Sequence, residues 1–168
     1  MATRALPMQR ELVERKWPLV QQYVQLNDLN RIVDADAGGD VGIIATGKSY
    51  TDVRQALEYM GVRVPVLQLA VIYPLQEDII RQFAAGLRRI YLVEEPGPFV
   101  EEGVKAALWD CDIEGVYGKC DEQGQVFIPA HGEVDPEMLV ERLWPRLQQR
   151  ALNAQAKDKL DAVLQRTY

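Results

Sequence analysis

The chain reads as an α/β protein: a three-layer α/β/α sandwich of β-α-β crossovers, with flanking helices. Three observations predict this. Short apolar runs recur between Val41 and Lys119. They alternate with stretches whose apolar residues fall at i, i+3, i+4 and i+7, the period of a helix with one buried face. Glycine, proline and acidic residues mark the junctions. Strand–helix–strand order implies parallel crossovers, and continuous apolar strands suit a sheet covered on both faces.

The elements follow in order. Residues 1–37 are expected to form a helical linker segment that packs on something outside it. Leu12, Val13, Val20, Tyr23 and Val24 are apolar at roughly helical spacing. Pro18 interrupts them, so two short helices with a break near Trp17 are expected. Asp34-Ala-Asp-Ala-Gly-Gly-Asp40 is a turn and a boundary. The α/β domain is therefore placed at 38–150. Val41–Thr46 is its first strand. Ser49-Tyr-Thr-Asp52 is a loose capping box before a helix that presents Val53, Ala56, Leu57 and Met60 on one face, and Gly61 closes it. Val64–Ala70 is the second strand. Pro74 is expected to open a helix carrying Leu75, Ile79, Phe83 and Leu87. Arg89–Glu94 is the third strand. Pro98 opens the next helix, with Glu101 and Glu102 where the helix dipole favours acids. Ile113–Lys119 is the fourth strand. Gln125–Ile128 is expected to pair back as a hairpin across Asp121–Gly124. Asp135–Pro136 supplies an N-cap and a first-turn proline for a helix through Leu139 and Leu143. Residues 151–168, with Leu160, Val163 and Leu164 periodic, read as a C-terminal helical extension. The apolar stripes of both flanking segments have no place inside a compact three-layer domain, so they are expected to lie against neighbours or form an oligomer contact.

Composition narrows the function. Hydrophobic residues make up 48% and charged residues 26%, with a net charge of −6. An acidic chain argues against nucleic acid as a partner. No apolar run approaches the ~20 residues that span a bilayer, so no membrane partner is expected. Met1–Gln9 lacks the apolar core of an export signal, and the expected compartment is the cytoplasm. Cys111 and Cys120 form no Cys-x-x-Cys pair, and two thiols with one histidine, His131, are too few for a zinc or iron–sulfur site.

One motif invites a nucleotide-binding reading. Gly42-Ile-Ile-Ala-Thr-Gly-Lys-Ser49 satisfies G-x-x-x-x-G-K-[ST], whose loop amides cradle phosphates. Its context argues otherwise. Gly42 lies inside the apolar run, whereas a phosphate loop follows its strand. Thr46-Gly-Lys-Ser49 then reads as a tight strand-to-helix turn, at the sheet edge where open α/β folds meet ligands or partners.

The same residues carry a family resemblance. Val41-Gly-Ile-Ile-Ala-Thr-Gly-Lys-Ser-Tyr50 with Asp52-Val-Arg-Gln-Ala-Leu57 resembles the indolepyruvate:ferredoxin oxidoreductases, within the 2-oxoacid:ferredoxin oxidoreductase family. Val66-Leu-Gln-Leu-Ala-Val-Ile-Tyr-Pro74, Leu92-Val-Glu-Glu95, Gly118-Lys119 and Gly132-Glu133 before Asp135-Pro136 continue it, from about Asn30 to Leu143. The resemblance implies a transketolase C-terminal-like domain with a mixed sheet of about five strands, one antiparallel. Leu29–Val33 and the 125–128 hairpin compete for that strand. It further implies a parent that uses thiamine diphosphate, Mg²⁺ and 4Fe-4S clusters to convert aryl 2-oxoacids to acyl-CoA and passes electrons to ferredoxin. The chain has no Gly-Asp-Gly signature and no cysteine cluster. It is therefore expected to hold no cofactor and no catalytic residue, and to have other domains or subunits of the parent as partners. Candidate interface or ligand-contact positions at strand ends are Gly47, Ser49, Tyr50, Tyr73, Pro74, Glu94 and Glu95. The alternatives are a P-loop-type nucleotide-binding protein using Gly42–Ser49 and a free-standing interaction module.

Overall fold

The computed structural model describes residues 2–150. A helical rod opens the chain: α1 (Ala2–Glu11), a wide π turn (Leu12–Lys16) and α2 (Trp17–Leu26). The expected break near Trp17 is absent, because Trp17 keeps right-handed helical angles and its N–H donates to the Leu12 carbonyl. Pro18 lacks an N–H, and its ring would crowd a carbonyl one turn back. The widened turn accommodates it without ending the helix.

Five strands form one sheet in the order β1-β3-β2-β4-β5: β1 (Asn30–Val33), β2 (Val41–Thr46), β3 (Val66–Leu69), β4 (Arg89–Val93) and β5 (Gly115–Tyr117). The β2–β3, β2–β4 and β4–β5 pairs are parallel, and β1 runs antiparallel to β3. This is the mixed five-stranded sheet that the resemblance implies, with the antiparallel place taken by residues 30–33. The sheet thus reaches back past the boundary expected at Gly38. The 125–128 segment is not a strand of the sheet but pairs back as expected: Cys120 bridges Val126, and the Phe127 and Ile128 N–H groups donate to the Lys119 and Gly118 carbonyls at 2.9 and 3.1 Å.

Four helices cover the sheet: α3 (Ser49–Met60), α4 (Glu77–Ala84), α5 (Phe99–Ala107) and α6 (Pro136–Leu147). α3 and α6 bury Val53, Met60, Leu139 and Leu143 with Ile43, Tyr91 and Val93 on one face. α4 and α5 bury Ile80, Phe83, Val100 and Val104 with Ile44, Leu67 and Leu92 on the other. Alternate β2 and β4 residues go to opposite faces, which is why both strands read as unbroken apolar runs. From β2 the chain first moves outward to β3, then crosses back over β2 to β4. Right-handed crossovers put helices on opposite faces when that direction reverses. In open α/β folds the crevice that takes ligands lies at such a reversal, here at the carboxyl ends of β2 and β4.

Several ends differ from expectation. α4 begins at Glu77, three residues after Pro74. Asn30 holds the intervening loop: its side-chain amide donates to the Val71 carbonyl at 3.1 Å and accepts the Val71 N–H at 2.9 Å. α3 has no side-chain cap; Ser49 is already helical, and Asp52 turns to Lys48 instead. Gly61 closes α3 in the left-handed conformation, and the Asp135 carboxylate accepts the Met138 N–H at 2.8 Å to start α6, both as read. The helix expected at 151–168 lies outside the described residues. Among those described, no helix is long and apolar enough to cross a membrane.

Candidate functional site

The crevice at the sheet reversal gathers most of the candidate residues. Gly47, at φ 51°, makes the left-handed turn out of β2 and has open space where a side chain would project. Ser49 is buried at the first position of α3, and Tyr50 packs on the α3–α6 core. The Lys48 side chain is 57% exposed, yet its ammonium is engaged. Its ammonium donates to the Val134 carbonyl at 2.8 Å, 86 residues away. It also lies 3.1 Å from an Asp52 oxygen and 3.9 Å from a Glu95 oxygen. The Asp52 contact is charge pairing without hydrogen-bond alignment. Asp52, with help from Glu95 and Glu133, holds the Lys48 ammonium above its ordinary pKa. Glu95 accepts the Val134 N–H, so the loop before α6 is bound to both sides of the crevice.

Glu94 has a different task. Its carboxylate is 2% exposed and accepts the Val100 and Glu101 N–H groups at 2.8 and 2.9 Å. A helix usually receives such bonds from its own N-cap side chain. Pro98 occupies the N-cap of α5 and has no acceptor to offer, so Glu94 caps the helix from the strand end. Two further residues complete the arrangement and were not singled out as candidates. The Glu101 carboxylate accepts the Lys119 N–H at 2.8 Å and the Lys105 ammonium at 2.6 Å. The Lys119 ammonium donates to the Glu94 carbonyl at 2.7 Å. Burial pushes the Lys119 pKa down, against the opposing pull of Glu94, Glu101 and Glu95. Gly118 explains the close approach: a Cβ there would lie 2.3 Å from a Glu101 oxygen. The Gly118-Lys119 pair was the available sequence signal.

Tyr73 and Pro74 do not join this group. They follow β3, which β2 separates from β4. The Tyr73 ring meets Trp17 of the rod edge-on, with centroids 5.5 Å apart. Nor is Gly42–Ser49 a phosphate loop. Gly42 pairs with Ile90 inside the sheet, and a Cβ there would strike Phe83 and Leu87 at 2.6 Å.

A model described as the indolepyruvate oxidoreductase domain matches residues 31–167. The chain belongs to this family. Its relatives include the indolepyruvate oxidoreductase subunits IorA of Methanothermobacter marburgensis and Archaeoglobus fulgidus. The first is 36% identical over 115 residues, covering 68% of this chain and 18% of that one. The second is 36% identical over 118 residues, covering 70% and 17%. The chain thus spans less than a fifth of these relatives. Among solved structures, a 2-oxoglutarate:ferredoxin oxidoreductase from Magnetococcus marinus overlays 92% of this chain on 24% of its own, at TM-score 0.49 and 21% identity. A split-gene transketolase in an inactive β4 tetramer overlays 76% on 39%, at TM-score 0.42 and 21% identity.

In this indolepyruvate oxidoreductase domain the strand-end acids Glu94 and Glu95 already have partners within the fold. The Glu94 oxygens are engaged by helix amides, and Glu95 by the Val134 N–H and Lys48. Both Glu94 oxygens are thus taken, whereas Glu95 makes its two contacts through Oε1 alone. A 4Fe-4S cluster takes four thiolates, and the sequence has two.

Proposed function

We propose that this chain is a non-catalytic structural and interface domain of a thiamine-diphosphate-dependent indolepyruvate:ferredoxin oxidoreductase. Such an enzyme oxidatively decarboxylates 2-oxoacids to acyl-CoA in the cytoplasm. The thiamine diphosphate, Mg²⁺ and 4Fe-4S clusters belong to other parts of the assembly, as does the contact with ferredoxin. One observation carries this reading. The crevice where an open α/β sheet offers a ligand site is bridged by the domain's own Lys48, Asp52, Glu95 and Val134. The carboxylates there fasten loops and helix ends instead of facing an empty cleft.

Purified protein tests the proposal. With an aryl 2-oxoacid, thiamine diphosphate, Mg²⁺ and CoA, dye reduction stays at the no-protein blank. Turnover well above that blank would overturn the reading. Mg-ATP or Mg-GTP at millimolar concentration leaves the melting midpoint unchanged, whereas a site saturated a hundredfold would add ~2.7 kcal/mol. A nucleotide-dependent rise abolished by Lys48→Ala would support the nucleotide-binding alternative.

A further inference from the structure

Arg150, the last described residue, is tied to the turn that leads into β2. One guanidinium nitrogen donates to the Gly38 carbonyl at 2.8 Å, and the other donates to an Asp40 oxygen at 3.1 Å. Gly39 makes room for them: it sits at φ 92°, and a Cβ there would fall 1.7 Å from the guanidinium. The chain therefore leaves α6 at a fixed point, beside the amino end of β2.

A groove of about 290 Å³ meets the same turn. Gly38 and Gly39 line it together with Ile32, Pro65, Phe83 and Leu87. Among the described residues no charged side chain lines it, in a chain that is 26% charged, and Gln82 is its one polar side chain. Small-molecule sites set several convergent polar groups into such a lining. This groove lacks them and suits an apolar stretch of polypeptide.

Two features say which stretch. The first is reach. Residues 151–168 start from Arg150, which already touches Gly38 of the groove. Six further residues span ~9 Å as helix and ~20 Å when extended, enough to cross it either way. So short a tether holds the segment at an effective concentration on the order of mM, which favours it over a second copy of the chain in dilute solution. The second feature is composition. Ala151-Leu-Asn-Ala-Gln-Ala156 carries no charge, and Lys157-Asp-Lys159 follows at once. The uncharged stretch matches the uncharged groove, while the charged one suits water. Leu152, Ala156 and Leu160 recur every four residues, the spacing of one helix face. The family match runs to residue 167, so this stretch falls within the domain's own pattern.

We infer that residues 151–156 dock in this groove, with Leu152 as the anchor against Phe83 and Leu87. The segment then straps α6, on one face of the sheet, to the end of α4 on the other. The inference stands apart from the oxidoreductase reading and survives its failure.

Hydrogen exchange on the full chain tests it. The Ala85 and Leu87 amides are expected to exchange at least tenfold faster in Leu152→Asp than in the unsubstituted chain, while the β2 and β4 amides keep their protection. Cysteine pairing gives a second reading without a disruptive charge. Ala85 lines the groove and is exposed. In a Cys111→Ser/Cys120→Ser background, Leu152→Cys with Ala85→Cys closes a disulfide within one chain at micromolar concentration. It does so at least tenfold faster than Leu164→Cys with Ala85→Cys. Unchanged exchange at Ala85 and Leu87 in Leu152→Asp overturns the inference. So do equal rates for the two cysteine pairs. A disulfide formed only between chains would make a second copy the occupant and overturn it too.

Discussion

Replacing Glu94 by alanine is the sharpest test of what this carboxylate does. The change removes the acceptor for the Val100 and Glu101 N–H groups, now bonded at 2.8 and 2.9 Å in a setting closed to water. Losing an N-cap costs about 1–2 kcal/mol. Leaving buried donors without an acceptor raises the loss to about 3 kcal/mol. For a domain of this size that is a fall of about 6–12 °C in the melting midpoint. Glu94→Gln keeps one acceptor oxygen and is expected to lose about half as much. Urea unfolding followed by far-UV circular dichroism measures both, with hydrogen exchange at the Val100 and Glu101 amides as the local readout. A loss below about 1 kcal/mol, or unchanged protection of those amides in Glu94→Ala, would refute the capping role. It would return Glu94 to the pool of ligand-contact candidates.

Other changes probe the rest of the framework. Arg146 sits 4.9 Å over the Phe127 ring and pairs with Glu122 at 3.2 Å, so Arg146→Met is expected to cost about 2 kcal/mol in urea unfolding. Gly42→Ala forces a methyl against Phe83 and Leu87 and is expected to cost about 1–3 kcal/mol, whereas a true phosphate-loop glycine would lose ligand rather than stability. Gly47→Val, placed at φ 51°, is expected to cost about 1–2 kcal/mol by backbone strain alone, seen as a lower urea midpoint. Arg54 and Arg63 hold the Asp34 carboxyl below its ordinary pKa, and Arg81 does the same for Asp110. Their stabilisation is complete above the unfolded value near 3.8 and is lost as pH falls through the lower folded values. The urea midpoint should therefore drop below about pH 4, and less steeply in Asp34→Asn.

The sequence made the central strands and their helices legible because parallel strands covered on both faces must be apolar throughout. Val41–Thr46 and Arg89–Val93 could hardly be anything else. β1 was harder, since Asn30-Arg-Ile-Val33 is short and half polar and owes its place to pairing with β3. Its antiparallel role came only from the family resemblance. The late start of α4 depends on Asn30, whose side chain bonds Val71 across 41 residues. At the site, Glu94 and Glu95 were visible as acids at a strand end. Their engagement was not, because it depends on where α5 and Val134 arrive. Lys48 shows the limit most directly: its local sequence suggests phosphate, while its actual partner is a distant carbonyl.

The junction between the rod and the sheet has a mechanical consequence. The Asn27, Asp28 and Leu29 N–H groups donate to the last carbonyls of α2, and β1 begins at the next residue. No slack chain separates helix from strand. The 25-residue rod, about 37 Å long, is thus a lever arm bolted to a sheet edge. A 10° tilt of that edge would swing its far tip by about 6 Å, a displacement large enough to be read at a neighbouring surface.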